Sequence, residues 1–126
     1  MRFVLLNHVM PKGADKATHV DLMFESGDVL RTWSLAAMPQ PGESVTATEL
    51  PDHRLEYLDY EGPVSSNRGS VERMDRGECH VESQSADEWT VRIVGDVYRA
   101  VIQLTREREN VWTLRCLPVT SLDRNS

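Results

Sequence analysis

Apolar positions along this chain alternate with polar ones in short stretches, and none recurs with a helical period over a useful length. Arg2 to Val9 is apolar almost throughout and reads as a strand buried on both faces. Pro11 to Lys16, with Pro and Gly close together, reads as a loop. Thr18 to Glu25 and Val29 to Leu35 are strand candidates on either side of Ser26-Gly27-Asp28, which makes the pair a hairpin. Pro39, Pro41 and Gly42 make Ala37 to Glu43 a loop, followed by a short strand at Ser44 to Glu49. Asp52 is placed to cap one helical turn running from His53 to Leu58. Gly62-Pro63 and the Ser65 to Gly69 cluster read as turns. Short strands are expected at Ser70 to Met74, Glu78 to Glu82, Thr90 to Val94, Tyr98 to Thr105 and Val111 to Leu117, with Arg106 to Asn110 as a charged turn. Many short strands separated by polar turns predict an all-β sandwich or barrel, and a barrel also removes exposed sheet edges.

Length and composition narrow this picture. With 126 residues, 40% hydrophobic and 27% charged, the chain suits one soluble globular domain. We expect that domain at residues 1–118, with a flexible tail at residues 119–126. The apolar run Phe3 to Leu6 is too short for a secretion signal, and no stretch approaches the roughly 20 apolar residues of a membrane helix. The expectation is a cytoplasmic protein without a membrane partner. Cys79 and Cys116 match no zinc or redox spacing and read as thiols in or near the core. The formal net charge of −6 argues against broad electrostatic tracking of nucleic acid. A local grip on one nucleic-acid end remains open.

Chemistry concentrates at the histidines. His19 and Asp21 stand two apart on an expected strand, so both face the same side. His8 ends the preceding strand. If the two strands are neighbours, the three groups converge, and two imidazoles with one carboxylate can hold a divalent ion with positions left for water and substrate. On spacing alone the commoner arrangement is a surface His–Asp pair beside a core histidine. His53 and Tyr57, four apart, would share a face of the helical turn. They could act as proton donor or acceptor and as hydroxyl donor, or form an ordinary packed tyrosine with an exposed histidine. His80 reads as a surface residue. Trp33, Trp89 and Trp112 read as core rather than as a base-stacking platform. Arg68, Arg73 and Arg76 could contact phosphate, although a solvated turn with scattered charges is the commoner arrangement.

Two blocks resemble a known family. The first is Phe3-Val4-Leu5-Leu6-Asn7-His8, then Thr18-His19-Val20-Asp21-Leu22-Met23-Phe24-Glu25, then Val29-Leu30-Arg31-Thr32-Trp33-Ser34-Leu35. The second is Pro51-Asp52-His53-Arg54-Leu55-Glu56-Tyr57-Leu58-Asp59-Tyr60-Glu61-Gly62, continued by Gly69-Ser70-Val71 and Asp75-Arg76-Gly77. Together they resemble the 3′-phosphoesterase domain of bacterial DNA ligase D, as a short and divergent member. The resemblance implies a closed antiparallel β-barrel with at most short helical turns. It also implies a manganese-dependent enzyme that removes a terminal 3′ ribonucleoside and then the 3′ phosphate from a primer. His8, His19 and Asp21 would be the metal ligands, with His53 and Tyr57 beside the scissile phosphate.

The chain departs from the family pattern in its basic residues. Met23 stands where the family has Arg, no Lys or Arg occurs from Thr32 to His53, and extra residues separate His8 from His19. Lys12 and Lys16, inside that extra segment, together with Arg54 and Arg68, are the candidate substrate contacts. Two functions follow as expectations. One is an esterase acting on DNA 3′ ends or on a smaller phosphate ester. The other is a catalytically weak or inactive barrel that docks onto a DNA ligase, a polymerase or another repair protein.

Overall fold

The computed structural model describes residues 1–118, and the tail expected at residues 119–126 lies outside them. The elements in chain order are β1 (Arg2–Val9), β2 (His19–Ser26), β3 (Val29–Leu35), β4 (Ser44–Arg54), a 3-10 turn (Leu55–Leu58), β5 (Gly62–Pro63), β6 (Ser70–Gln84), β7 (Glu88–Gly95), β8 (Arg99–Arg108) and β9 (Val111–Cys116). All pairings are antiparallel, in the order β1-β2-β3-β4-β9-β8-β7-β6, and β6 pairs back onto β1. This is a closed eight-stranded barrel, with β5 added as a short extra strand against β6. Closure leaves no long unpaired edge among these strands. Among the described residues, no helix is long and apolar enough to cross a membrane.

Alternation along β1 and β2 creates two cores. Phe3, Leu5, Val20, Leu22 and Phe24 point inward and join Trp33, Trp89, Trp112, Ile93, Ile102 and Leu104 in the barrel interior. Trp33 lies 5.6 Å from Trp89 and 5.5 Å from Trp112 in edge-to-face contact, so the tryptophans fill the interior as expected. Cys79 and Cys116 are both buried. The opposite faces carry Val4, Leu6, Met23 and Leu30, which form a second cluster with Leu58 and Val71 on the outside of the barrel. Leu55, Tyr57 and Val64 pack against it. The chain from Leu55 to Val64 therefore covers the outer wall of β1–β3, and this cover positions the site.

Two expectations are corrected. The first is the helical turn at His53 to Leu58 capped by Asp52. β4 instead runs on to Arg54, and the 3-10 turn begins at Leu55 with Arg54 at its cap position and no side-chain cap. Asp52 pairs with Arg31. β9 meets β4 only at Ser44–Thr48, and the register against β3 shifts between Leu30 and Thr32. Pro51 thus sits at an irregularity beyond the doubly paired part of the strand, where its missing N–H costs little.

The second correction joins Ser70 to Met74 and Glu78 to Glu82 into the single fifteen-residue strand β6. Asp75-Arg76-Gly77, left between the two expected strands, is continuous strand. Asp75 is buried, and its carboxylate accepts hydrogen bonds from the backbone N–H groups of Arg76, Asp96, Val97 and Tyr98, at 2.8 to 3.1 Å. Its role is to cap the β7–β8 turn. A Cβ on Gly77 would lie 2.1 Å from the Val94 carbonyl oxygen, which explains that glycine.

Candidate metal centre

β1 and β2 pair so that Leu6 faces Asp21 and His8 faces His19. The three side chains emerge together on the outer wall, in line with Leu6 and Met23. Their donor atoms all lie within 4.8 Å of one another. His8 Nδ1 is 3.2 Å from Asp21 Oδ2, and His19 Nε2 is 3.2 Å from Asp21 Oδ1. His19 and Asp21 are 6% and 2% exposed, so little water reaches them.

The tautomers decide what this cluster can hold. A carbonyl only accepts, so His8 Nε2–H donates to the Arg68 carbonyl at 2.6 Å, and His19 Nδ1–H donates to the Ala17 carbonyl at 2.8 Å. Each neutral ring thereby spends its one N–H on the backbone. His8 Nδ1 and His19 Nε2 are left as lone pairs aimed at a carboxylate that also offers only lone pairs. His19 Nε2 and Asp21 Oδ1 are buried with no hydrogen-bond partner, despite their proximity. Three acceptors facing one another are satisfied by a cation or a proton. Ligands about 2.1 Å from a first-row ion stand about 3 Å apart, which suits these spacings. The backbone bonds at the far nitrogens are the outer-shell contacts that fix a metal-binding histidine. The residues therefore fit a divalent cation. In its absence the Asp21 carboxylate raises the His19 pKa; burial opposes this, the Ala17 carbonyl adds to it, and Lys16 works against it.

The cluster opens into a cavity of about 110 Å³ lined by His8, Asp21, Met23, His53, Tyr57, Val64, Arg68 and Val71. His53 arrives on the end of β4, opposite Leu30. Tyr57 arrives on the 3-10 turn, and the rings meet edge to face at 5.6 Å. The pair converges as the sequence suggested, but from a strand and a turn rather than from one helical face. His53 Nδ1–H donates to the Pro51 carbonyl at 2.9 Å, which leaves Nε2 as the exchangeable nitrogen.

The candidate cations separate. Arg68 lines the cavity, its Nε and one terminal nitrogen tied to Ser65 O and Oγ at 2.8 and 3.0 Å. Arg54 lines a neighbouring cleft. Lys12 and Lys16 are exposed on the β1–β2 loop and are not among the residues lining the cavity. Arg73 and Arg76 face Glu61 and Asp59 instead, and His80 is exposed on β6.

Sequence reasoning missed the loop that completes the site. Val64 N–H bonds the Gly69 carbonyl, and Ser66, Asn67 and Gly69 all adopt positive φ. A Cβ on Gly69 would lie 2.0 Å from the Val9 carbonyl oxygen, so the loop seats directly against the end of β1. That seating delivers the Arg68 carbonyl to His8. The Ser-Ser-Asn-Arg-Gly run signalled a turn but not its target.

A family model described as the DNA ligase D 3′-phosphoesterase domain matches residues 11–111. No curated protein matches the chain. The matched span contains His19, Asp21, His53, Tyr57 and Arg68 and begins after His8, which joins them through the β1–β2 pairing. The match spans most of the chain, and the chain belongs to the DNA ligase D 3′-phosphoesterase domain family.

Proposed function

We propose that this protein is a metal-dependent phosphoesterase that removes a 3′ phosphate or a terminal ribonucleotide from DNA ends during repair, with manganese as its metal. One observation carries the reading: the His8, His19 and Asp21 donor atoms face one another, and His8 and Asp21 line the same small cavity as His53, Tyr57 and Arg68. Two nitrogens and a carboxylate leave several positions free on an octahedral ion, as manganese prefers. A bound cation would neutralise phosphate charge and make an attacking water more acidic.

The remaining work falls to the chain's own groups. The cavity has room for a phosphoryl group but not for a nucleotide, since ligand sites for larger molecules run to several hundred Å³. Tyr57 donates its hydroxyl toward charge developing on the phosphoryl oxygens. His53 exchanges a proton through Nε2 with the attacking water or the leaving oxygen. Arg68, held by Ser65, contributes the fixed positive charge.

A second reading rests on the shortage of cations: among the described residues, Arg68 is the one Lys or Arg lining the cavity. A catalytically weak barrel that docks onto a DNA ligase or polymerase would need no more. Turnover separates the two. A 5′-labelled primer-template ending in a 3′ phosphate or a single ribonucleotide is incubated with protein and manganese, beside His19→Ala and His53→Ala. The esterase reading expects a 3′ hydroxyl from the parent and from neither variant. An unchanged 3′ end under metal-saturated conditions would leave the docking module.

A further inference from the structure

A second cleft adjoins the metal-side cavity. Its volume is about 200 Å³, and it is lined by Arg54, Glu56, Tyr57, Tyr60, Pro63 and Val64, with Ser65 at its rim. Tyr57 and Val64 belong to both walls, so the two spaces lie side by side with the Tyr57 ring between them. Tyr60 is 38% exposed and is the one aromatic among the exposed large hydrophobic residues described. Exposure has not left it loose. Its hydroxyl donates to the Pro63 carbonyl, and its ring meets Tyr57 edge to face at 5.8 Å. Gly62, at φ +134°, makes room for it: a Cβ there would stand 3.2 Å from the Tyr60 hydroxyl.

A pinned aromatic face open to solvent is a stacking surface prepared in advance. The charge of the cleft decides what stacks. Arg54, its one cation among the described residues, is offset by Glu56 at 2.8 Å, so the cleft carries no net positive charge to favour a second phosphate. A base or sugar carries no such requirement.

We propose that Tyr60 forms a nucleoside subsite, stacking the base of the nucleotide whose 3′ phosphate occupies the cavity beyond Tyr57. This inference rests on the phosphoesterase reading and deepens it. Specificity comes from the terminal nucleoside rather than from the phosphates behind it, which suits a chain with few cations at its site. A free nucleotide and the last nucleotide of a strand present the same chemistry.

The test is calorimetric titration of the manganese-loaded protein with three hydrolysis-resistant probes. They are methylphosphonate, a nucleoside 3′-methylenephosphonate, and a short single strand ending in that same group. Tyr60→Ala should weaken a nucleoside-bearing probe by roughly tenfold, the range for loss of one base stack, and leave methylphosphonate unchanged. Loss in the strand alone assigns the shelf to strand ends, and loss in both nucleoside-bearing probes assigns it to nucleotides generally. Tyr60→Phe, which keeps the ring and loses the bond to Pro63, should bind more weakly than the parent but much more tightly than Tyr60→Ala. Equal weakening of all three probes by Tyr60→Ala, no weakening of any, or a Tyr60→Phe variant as weak as Tyr60→Ala would overturn the subsite. If methylphosphonate fails to bind the parent at all, the phosphoesterase reading itself falls.

Discussion

His19 carries more of the argument than any other side chain. Its Nδ1–H is committed to Ala17, and its Nε2 is buried beside an oxygen that can only accept. His19→Ala should therefore lower manganese affinity by at least about a hundredfold, beyond what loss of an outer-shell contact costs, as read by calorimetry. Acidity gives a second check on the chelated protein. His19 has a folded pKa raised above the ordinary 6.5, chiefly by Asp21. Its stabilising contribution is then fully present below that value and is lost as pH rises through the folded pKa. Chelated protein should become less stable to urea across this window, and His19→Ala should flatten the trend. A parent and variant with parallel pH profiles would contradict it. Cys79 is a simpler case: burial pushes its thiol pKa up to about 11, so thiol reagents should label it only on unfolding. The triad was legible in the sequence because i and i+2 on a strand share a face, and an apolar strand ending in His8 was the natural neighbour. What the sequence withheld was tautomer. The two carbonyls that turn lone pairs inward belong to Ala17 and Arg68, and a backbone carbonyl leaves no mark in residue type.

At the scale of elements, the β2–β3 hairpin follows from alternation and a Gly turn, and it formed where expected. β4 and β6 were harder, for opposite reasons. Pro51 looks like the end of a strand, yet it sits beyond the β9 contact, where its missing donor is harmless. Asp75-Arg76-Gly77 looks like a break between two strands, yet it is strand, and its carboxylate serves a turn about twenty residues away. Asp75→Ala removes a charged acceptor from four backbone N–H groups and should destabilise the barrel by about 3 kcal/mol or more in urea unfolding. A loss below about 1 kcal/mol would contradict that role. The loop from Val64 to Gly69 acts on the site through its seating. Gly69→Ala cannot keep its present approach to Val9 and should draw the Arg68 carbonyl off His8. We expect manganese affinity to fall about tenfold or more with the barrel still folded. Unchanged affinity would show that His8 is oriented by something else.

The whole molecule combines a closed barrel with a site built on its outer wall. The interior is spent on three tryptophans, so function is displaced to the face covered by the chain from Leu55 to Gly69. Closure of the barrel was readable as a way to remove edges, but the second core was not. The apolar run from Arg2 to Val9 marks β1 as buried on both faces, and only the return of Leu58 and Val71 shows what covers Val4, Leu6 and Met23. Net charge acts at this scale too. With a formal charge of −6 and Arg68 as the cation at the cavity, binding to a 3′-phosphorylated strand should release few counterions. The logarithm of the affinity should fall against the logarithm of salt with a slope of roughly −1 to −2. A slope several-fold steeper would mean that a cationic track elsewhere holds the strand. The most direct single measurement is titration of manganese into the purified protein, followed by the paramagnetic resonance of the free ion. The account predicts that one equivalent per chain disappears from the free signal and that His19→Ala restores it. A parent protein that leaves the free signal at full intensity would contradict it.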